Sequence, residues 1–358
     1  MRVRLLLPAL LLVVVAGVVL ASLLQAQSGP ALGYQPQVFV VGSDGAGLQQ
    51  VTNGKGYRFT PTWSRDGRRL AYGDDAVVVV RLGSGKRQAL ARSRRFGGSS
   101  ISWSPTRDEI LVRHGAGTDD HPRMGLTTIR ASGRRVRRLG SWASQSSPLG
   151  GPQWSPDGDH IAYLREGRPV STGGPAGVTG GGNFDVAVIS RTGSGDGRVR
   201  LRGDERQPLW SPNGRWLLFG RETPEFGLWK MSPHGRRLQR VGPQIVNGEP
   251  SWSHDGTRVA FTGHSDTGAR DQALFVMEAT PRGVPRLIAE HVGGSVWSPV
   301  ADLIAFTGFD GHVRVTAPDG SAQRTLATFP ADTEFGYLSW SKNGRRLAFT
   351  AEKQRPSD

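Results

Sequence analysis

The sequence predicts an all-β fold, a seven-bladed β-propeller of four-stranded antiparallel blades. It is closed by N- and C-terminal strands in one shared blade and preceded by an N-terminal hydrophobic helix. Three observations carry this reading. A Trp-Ser pair recurs seven times, an apolar strand follows each copy at fixed spacing, and the half-units left over at the two ends add up to one blade.

The repeat comes first. The pairs begin at Trp63, Trp103, Trp154, Trp210, Trp252, Trp297 and Trp340, with gaps of 40, 51, 56, 42, 45 and 43 residues. Seven residues after each Trp stands an aliphatic: Leu70, Ile110, Ile161, Leu217, Val259, Ile304 or Leu347. Two further on comes an aromatic (Val112 in the second copy), with a mostly small residue between. A period of two puts the aliphatic and the aromatic on one face of a strand and the small residue on the other. Both faces are apolar, so this strand is buried on both sides. The turn between Trp and strand has its own mechanism. Asp or Asn caps its own backbone, and Gly takes a left-handed position. Five copies end in Asp-Gly or Asn-Gly; "WSPTRDEI" and "WSPVADLI" lack the Gly at the same length.

A second hairpin follows each of the first six copies, but none follows the seventh. The missing one stands at the other end, in "QVFVVGSDGAGLQQVT" from Gln37 to Thr52. Seven of each, out of phase by half a unit, describe a closed ring whose last blade takes two strands from each terminus. Closure removes sheet edges, and Phe39 is expected opposite the Leu347–Phe349 segment.

The repeat resembles the TolB-like propellers, marked by W-S-P-D-G and an aliphatic-Ala-aromatic strand. The resemblance covers about Gln37 to Lys353. It implies the fold and little about activity. TolB itself has six blades and an α/β domain before its propeller, whereas this sequence shows seven repeats with 36 residues before the first strand. Tol-system partners are therefore not carried over. Related propellers also precede the hydrolase domain of dipeptidyl peptidase IV-type enzymes; here the sequence ends with the propeller, and no hydrolase is expected.

The domain reading follows: a basic stub 1–4, an apolar segment 5–24, a linker 25–36, the propeller 37–353 and a tail 354–358. Arg2 and Arg4 flank the apolar run on its cytoplasmic side and put the propeller outside the cytoplasm. The run is long for a signal peptide and sufficient for a membrane span. It is either a retained anchor or a signal cleaved after Ala21 or Ala26. The strand beginning near Val38 is the third of its blade, so the linker is expected to leave from the face opposite the hairpin turns. There is no Cys, which excludes disulfides, thiol chemistry and a lipidated cysteine.

Net charge is +15, with 40 Arg against 5 Lys. GC-rich coding and solvated surface arginines account for much of this. By propeller convention, hairpin turns lie on one face, here the lower, and loops between second and third strands and between blades on the upper. Cations concentrate on the lower turns and outer strands, as in "RRVRRL" and "RVRLR", where they also protect edges. The upper loops are acid-rich. Binding candidates there are His114, Asp119, Asp120, His121, Arg165, Glu166, Glu222, Glu225, Asp266, Arg270, Asp271, Asp332 and Glu334. Such loops on a rigid scaffold are where binding residues concentrate.

Catalytic chemistry is weakly signalled. "TDDHP" gathers two carboxylates and an imidazole, but a Gly-rich loop gives no preformed ligand geometry, so no metal is expected. "GHSDTG" misses the G-x-S-x-G elbow by one place and lacks the following helix. "GSGDG" sits between strands, without the helix N-terminus that holds a phosphate. The inner strands read "TPTW", "SISW", "GPQW", "QPLW", "EPSW", "GSVW" and "YLSW", with Glu249 their one acid and no His. The expectation is a non-enzymatic extracytoplasmic scaffold, monomeric and without cofactor, that binds a protein or an anionic cell-envelope polymer. Nucleic acid is not expected, and membrane contact runs only through the N-terminal segment if it is uncleaved. The alternative is a metal-assisted carbohydrate lyase working in the central channel, since some TolB-like propellers resemble such lyases.

Overall fold

The computed structural model describes residues 27–28, 33, 35–56, 58–92, 100–115, 123–134, 136–143, 151–166, 184–194, 197–198, 205–221, 226–243, 250–264 and 272–353. The expected N-terminal helix lies outside them; among the described residues no helix is long and apolar enough to cross a membrane.

The described chain forms seven sheets, each built on four antiparallel strands, numbered by the order of their Trp residues. Blade one takes Phe59–Trp63, Arg69–Gly73, Ala76–Arg81 and Arg87–Arg92 as its first to fourth strands. Blades two to six repeat that order. Blade seven joins Thr333–Trp340 and Arg346–Lys353 to Gln37–Gly42 and Gln49–Gln50. Phe39 pairs with Phe349 and Gln37 with Ala351, which is the two-plus-two closure expected from the repeat.

The core lies in wedges between neighbouring blades, and the period of two sets it. Leu70 and Tyr72 pack backwards on Val38, Val40 and Ala348 of blade seven. Ala71, between them, packs forwards under Ile101, Trp103 and Ile110 of blade two. A small residue at this position makes room for the next blade's indole. Each large side chain so buried contributes about 1.5–3 kcal/mol. At the seam, Phe39 lies 5.7 Å from Phe349 and 5.1 Å, edge-on, from Phe329 of the connection out of blade six. Closure is therefore clasped by aromatic packing as well as by strand pairing.

Two residues of the expected linker are paired. Gln27–Ser28 pairs parallel with Ala327 and Thr328, adding a fifth strand outside blade six. An outer strand offers unpaired backbone groups, and the passing segment covers some of them.

Candidate functional site

The repeat builds one end of the central channel. Each Trp closes an inner strand, and its indole reaches the preceding blade. Nε1 of Trp63, Trp154, Trp252 and Trp340 donates to the carbonyls of Ser339, Ser102, Leu209 and Val296, at 2.9, 3.1, 3.3 and 3.1 Å. In every case the acceptor is the residue just before the previous blade's Trp. Trp297 instead donates to Ala301 of its own turn, at 3.2 Å. Nε1 of Trp103 and of Trp210 is buried with no hydrogen-bond partner among the described residues. Trp103 and Trp297 are the two copies whose turn lacks Gly.

The Ser of each pair holds the turn. Ser64 Oγ donates to Asp66 at 2.6 Å and accepts the N–H of Arg69 at 2.9 Å. Ser211 and Ser341 do the same with Asn213 and Asn343, both at 2.8 Å. These bonds hold the carboxyls of Asp66, Asp157 and Asp255 below the ordinary range, Asp255 at about 2. In the two turns without Gly, the carboxylate moves two places on, to Asp108 and Asp302. There it meets an arginine of the preceding blade, Arg69 at 2.7 Å and Arg258 at 2.8 Å. Those guanidinium groups also lie 5.1 Å over the rings of Trp103 and Trp297. A turn that loses its internal brace gains one between blades.

The channel holds a cavity of about 970 Å³. Its wall mixes hydroxyls and amides, from Ser102, Ser251, Ser295, Ser339 and Gln153, with prolines and the rings of Phe335 and Tyr337. Tyr337 stands three residues before its Trp with φ of 45°; Thr60 and Gln207, at the same repeat position, have φ of 47° and 48°. Register shifts mark the same places, between Phe59 and Thr62, Arg206 and Leu209, and Gly336 and Ser339. A left-handed backbone at a residue with a Cβ costs about 1–2 kcal/mol, and such strain clusters at ligand clamps. Tyr337 is 48% exposed.

The upper end is less regular. His114 ends the second strand of blade two, with Nε2 2.9 Å from Thr127 Oγ1 and Nδ1 2.8 Å from the Gly115 carbonyl. Arg165 and Glu166 end that of blade three, opposite Asp185 and Phe184. Asp332 pairs with Lys353 at 3.6 Å, and Glu334 begins the inner strand of blade seven. These five share one end of the ring but belong to three blades. Asp119, Asp120, His121, Glu222, Glu225, Asp266, Arg270 and Asp271 lie outside the described residues. Among the described residues no three His, Asp or Glu are grouped so as to hold a metal ion.

Sequence reasoning passed over several groups. Glu205, fully buried at the start of the inner strand of blade four, pairs with Arg221 at 3.3 Å. The Arg221 guanidinium lies 4.4 Å over Trp229. Lys342 and His254 stand two residues after their Trp and line the cavity. Aligning that repeat position across the seven copies would have found them.

No family model matches the chain. A stretch of it is 32% identical over 75 residues to the Tol-Pal system protein TolB of Zymomonas mobilis, covering 20% of this chain and 16% of that protein. The chain spans between about a sixth and a half of the length of the curated relatives it matches. In fold it is similar to the putative TolB of Agrobacterium tumefaciens, with a TM-score of 0.54 at 15% identity over 91% of this chain and 100% of that one. It is likewise similar to oligogalacturonate lyase of Vibrio parahaemolyticus, with a TM-score of 0.61 at 12% identity over 91% and 98%. The chain is a TolB-like β-propeller in fold.

Proposed function

We propose that the protein is an extracytoplasmic, non-enzymatic binding scaffold for a protein or cell-envelope polymer, with the central channel and the upper-face loops as its recognition surfaces. The observation that carries the reading is the channel wall. Serines, two glutamines, prolines and rings can hold a ligand, and among the described lining residues no carboxylate stands by to form an acid–base pair with His254 or Lys342. Strained, partly exposed Tyr337 supports the same reading, because backbone strain persists where it positions a group. Location outside the cytoplasm is supported by Arg2 and Arg4 before the apolar run 5–24.

The competing reading is a lyase at the channel, favoured by the fold likeness to oligogalacturonate lyase. One experiment separates the two. The full chain is incubated with acidic oligosaccharides, with and without Mn²⁺, and the products are weighed by mass spectrometry. The scaffold reading expects intact oligosaccharide in both series. Chain cleavage that requires the protein would replace it with the enzyme reading.

A further inference from the structure

The lower mouth of the channel has the chemistry of an anion site. We propose that the lower mouth recognises a hydroxyl-bearing chain carrying phosphate or carboxylate groups, which enters the channel from the turn face and seats an anionic group between the turns of blades seven and one. This rests on the scaffold reading and names its ligand class.

The position two residues after each Trp lines the cavity in blades two to seven, and Arg65 holds it in blade one, whose turn adjoins that of blade seven. Four blades place proline there, and blade five places His254. Lys342 holds it in blade seven and Arg65 in blade one. No blade places an acid there. Lys342 lines the cavity and makes no ion pair or hydrogen bond among the described residues. Water reaches it through the cavity, yet the crowded mouth pushes its ammonium below the ordinary lysine range. A desolvated, unpartnered cation is stabilised by an arriving anion.

The adjoining turns concentrate the charge. Blade one's turn sits against blade seven's: a Cβ built on Gly67 would lie 3.9 Å from that of Ser341. Exposed Arg345 and Arg68 belong to these two turns, beside Lys342 and Arg65. The one carboxylate of the pair of turns, Asp66, is held by Ser64 Oγ and the N–H of Arg68. Blade seven has neutral Asn343 in its place. Four cations therefore face solvent with one carboxylate, and that carboxylate is committed to its own turn.

The wall selects the kind of chain. A peptide would seek open strand edges. Here the inner-strand carbonyls of Ser339, Ser102, Leu209 and Val296 are taken by indoles of the next blade. The N–H groups of Trp103 and Trp297 are taken by Thr62 Oγ1 and Ser251 Oγ. Among the described residues no indole reaches the carbonyls of Thr62, Gln153 and Ser251, but most of the wall is side chain, and its hydroxyls, amides and Tyr337 ring suit a polyol or sugar chain better than a peptide backbone.

The test uses the full chain and titration calorimetry at fixed ionic strength. The probes are a glycerol-phosphate oligomer, a carboxylated oligosaccharide, a neutral dextran oligomer of matched length and poly-glutamate. The mouth variant is Lys342→Gln with Arg65→Gln. The control, Arg236→Gln with Arg237→Gln, removes equal charge from an outer turn of blade four. The expected result is saturable binding of the phosphate or the carboxylate chain, weakened about tenfold or more by the mouth variant and less than about threefold by the control. The preferred chain identifies the anion source. All substituted residues are exposed, so an unchanged melting temperature in both variants excludes misfolding. Equal losses from the two variants, or no saturable binding, would overturn the proposal; so would poly-glutamate binding most tightly. Cleavage of a bound oligosaccharide would defeat the scaffold reading while leaving this site in place.

Discussion

The lower end of the ring is written seven times, and the upper end only once. At the lower end a Trp and a Ser recur at fixed spacing with a turn carboxylate or amide, and four of the seven indoles bond to the blade before. At the upper end, each loop has its own length and each inner strand its own start. The difference teaches where regularity stops being structural. Lower turns hold the ring together by repetition, so a departure from the motif stands out there. Proline is the common residue at the mouth position, and Lys342, Arg65 and His254 are the departures.

Removing the closure breaks both ends together and carries the largest expected effect. Deleting Gln37 to Thr52 takes away Val38, Phe39, Val40 and Val41, all almost fully buried. At about 1.5–3 kcal/mol each, their loss is comparable with the whole stability of an ordinary domain, about 5–15 kcal/mol. Thermal scans should show no cooperative transition near that of the parent. Excising residues 171–182 of the Gly-rich connection should leave the transition nearly in place. A closure deletion that melts within a few degrees of the parent would contradict the account of the seam.

At the upper end the most sensitive single site is the buried pair. Glu205→Ala strands Arg221 in the protein interior and should cost about 3–5 kcal/mol, measured by denaturant titration. At the lower end, Gly67→Ala puts a Cβ on a residue with φ of 65°, where it meets only Ser341 at an ordinary contact distance of 3.9 Å. The penalty there is conformational alone, about 1–2 kcal/mol. A smaller effect sharpens the contrast within the ladder. Trp154→Phe loses the bond to Ser102, about 1 kcal/mol, beyond what shape alone costs. Trp103→Phe removes an N–H that has no partner and should cost less. Equal losses would mean that the indole bonds do not hold the blades together.

The smallest effect is on acid stability. The carboxyl of Asp255 is more acidic folded than free, at about 2 against 3.8. Its contribution is therefore complete above about pH 4 and is lost as the pH falls towards 2. Asp255→Asn should flatten the acid limb of a stability–pH curve in that window and change little at pH 7. An unchanged acid limb would place the acid sensitivity elsewhere, with Asp310 the next site to test, also near 2 through its bonds with Arg314.

Much of this was legible in the sequence, and the reason is physical. The blade count, the closure and the pairing of Phe39 with the last strand followed from counting half-units. The two faces of the second strand followed from a period of two, and Leu70 and Ala71 do pack on opposite neighbours. The left-handed Tyr337, Thr60 and Gln207 were not legible. Their strain is set by a bulge that depends on the partner strand, and their residue types carry no left-handed signature. The Glu205–Arg221 pair escaped because the partners come from different strands and neither belongs to the repeat. Nor does composition show that Gln27–Ser28 lies on the rim of blade six, since two polar residues form a strand only where an edge receives them.

Ligand placement in the channel is tested most directly by hydroxyl-radical footprinting of the full chain with and without the glycerol-phosphate oligomer. Tyr337 lines the cavity, while Val284 and Leu287 are exposed on the outer side of blade five. The account predicts that the oligomer protects Tyr337 from oxidation and leaves Val284 and Leu287 unchanged. Saturated binding with Tyr337 as reactive as in the free protein would contradict it.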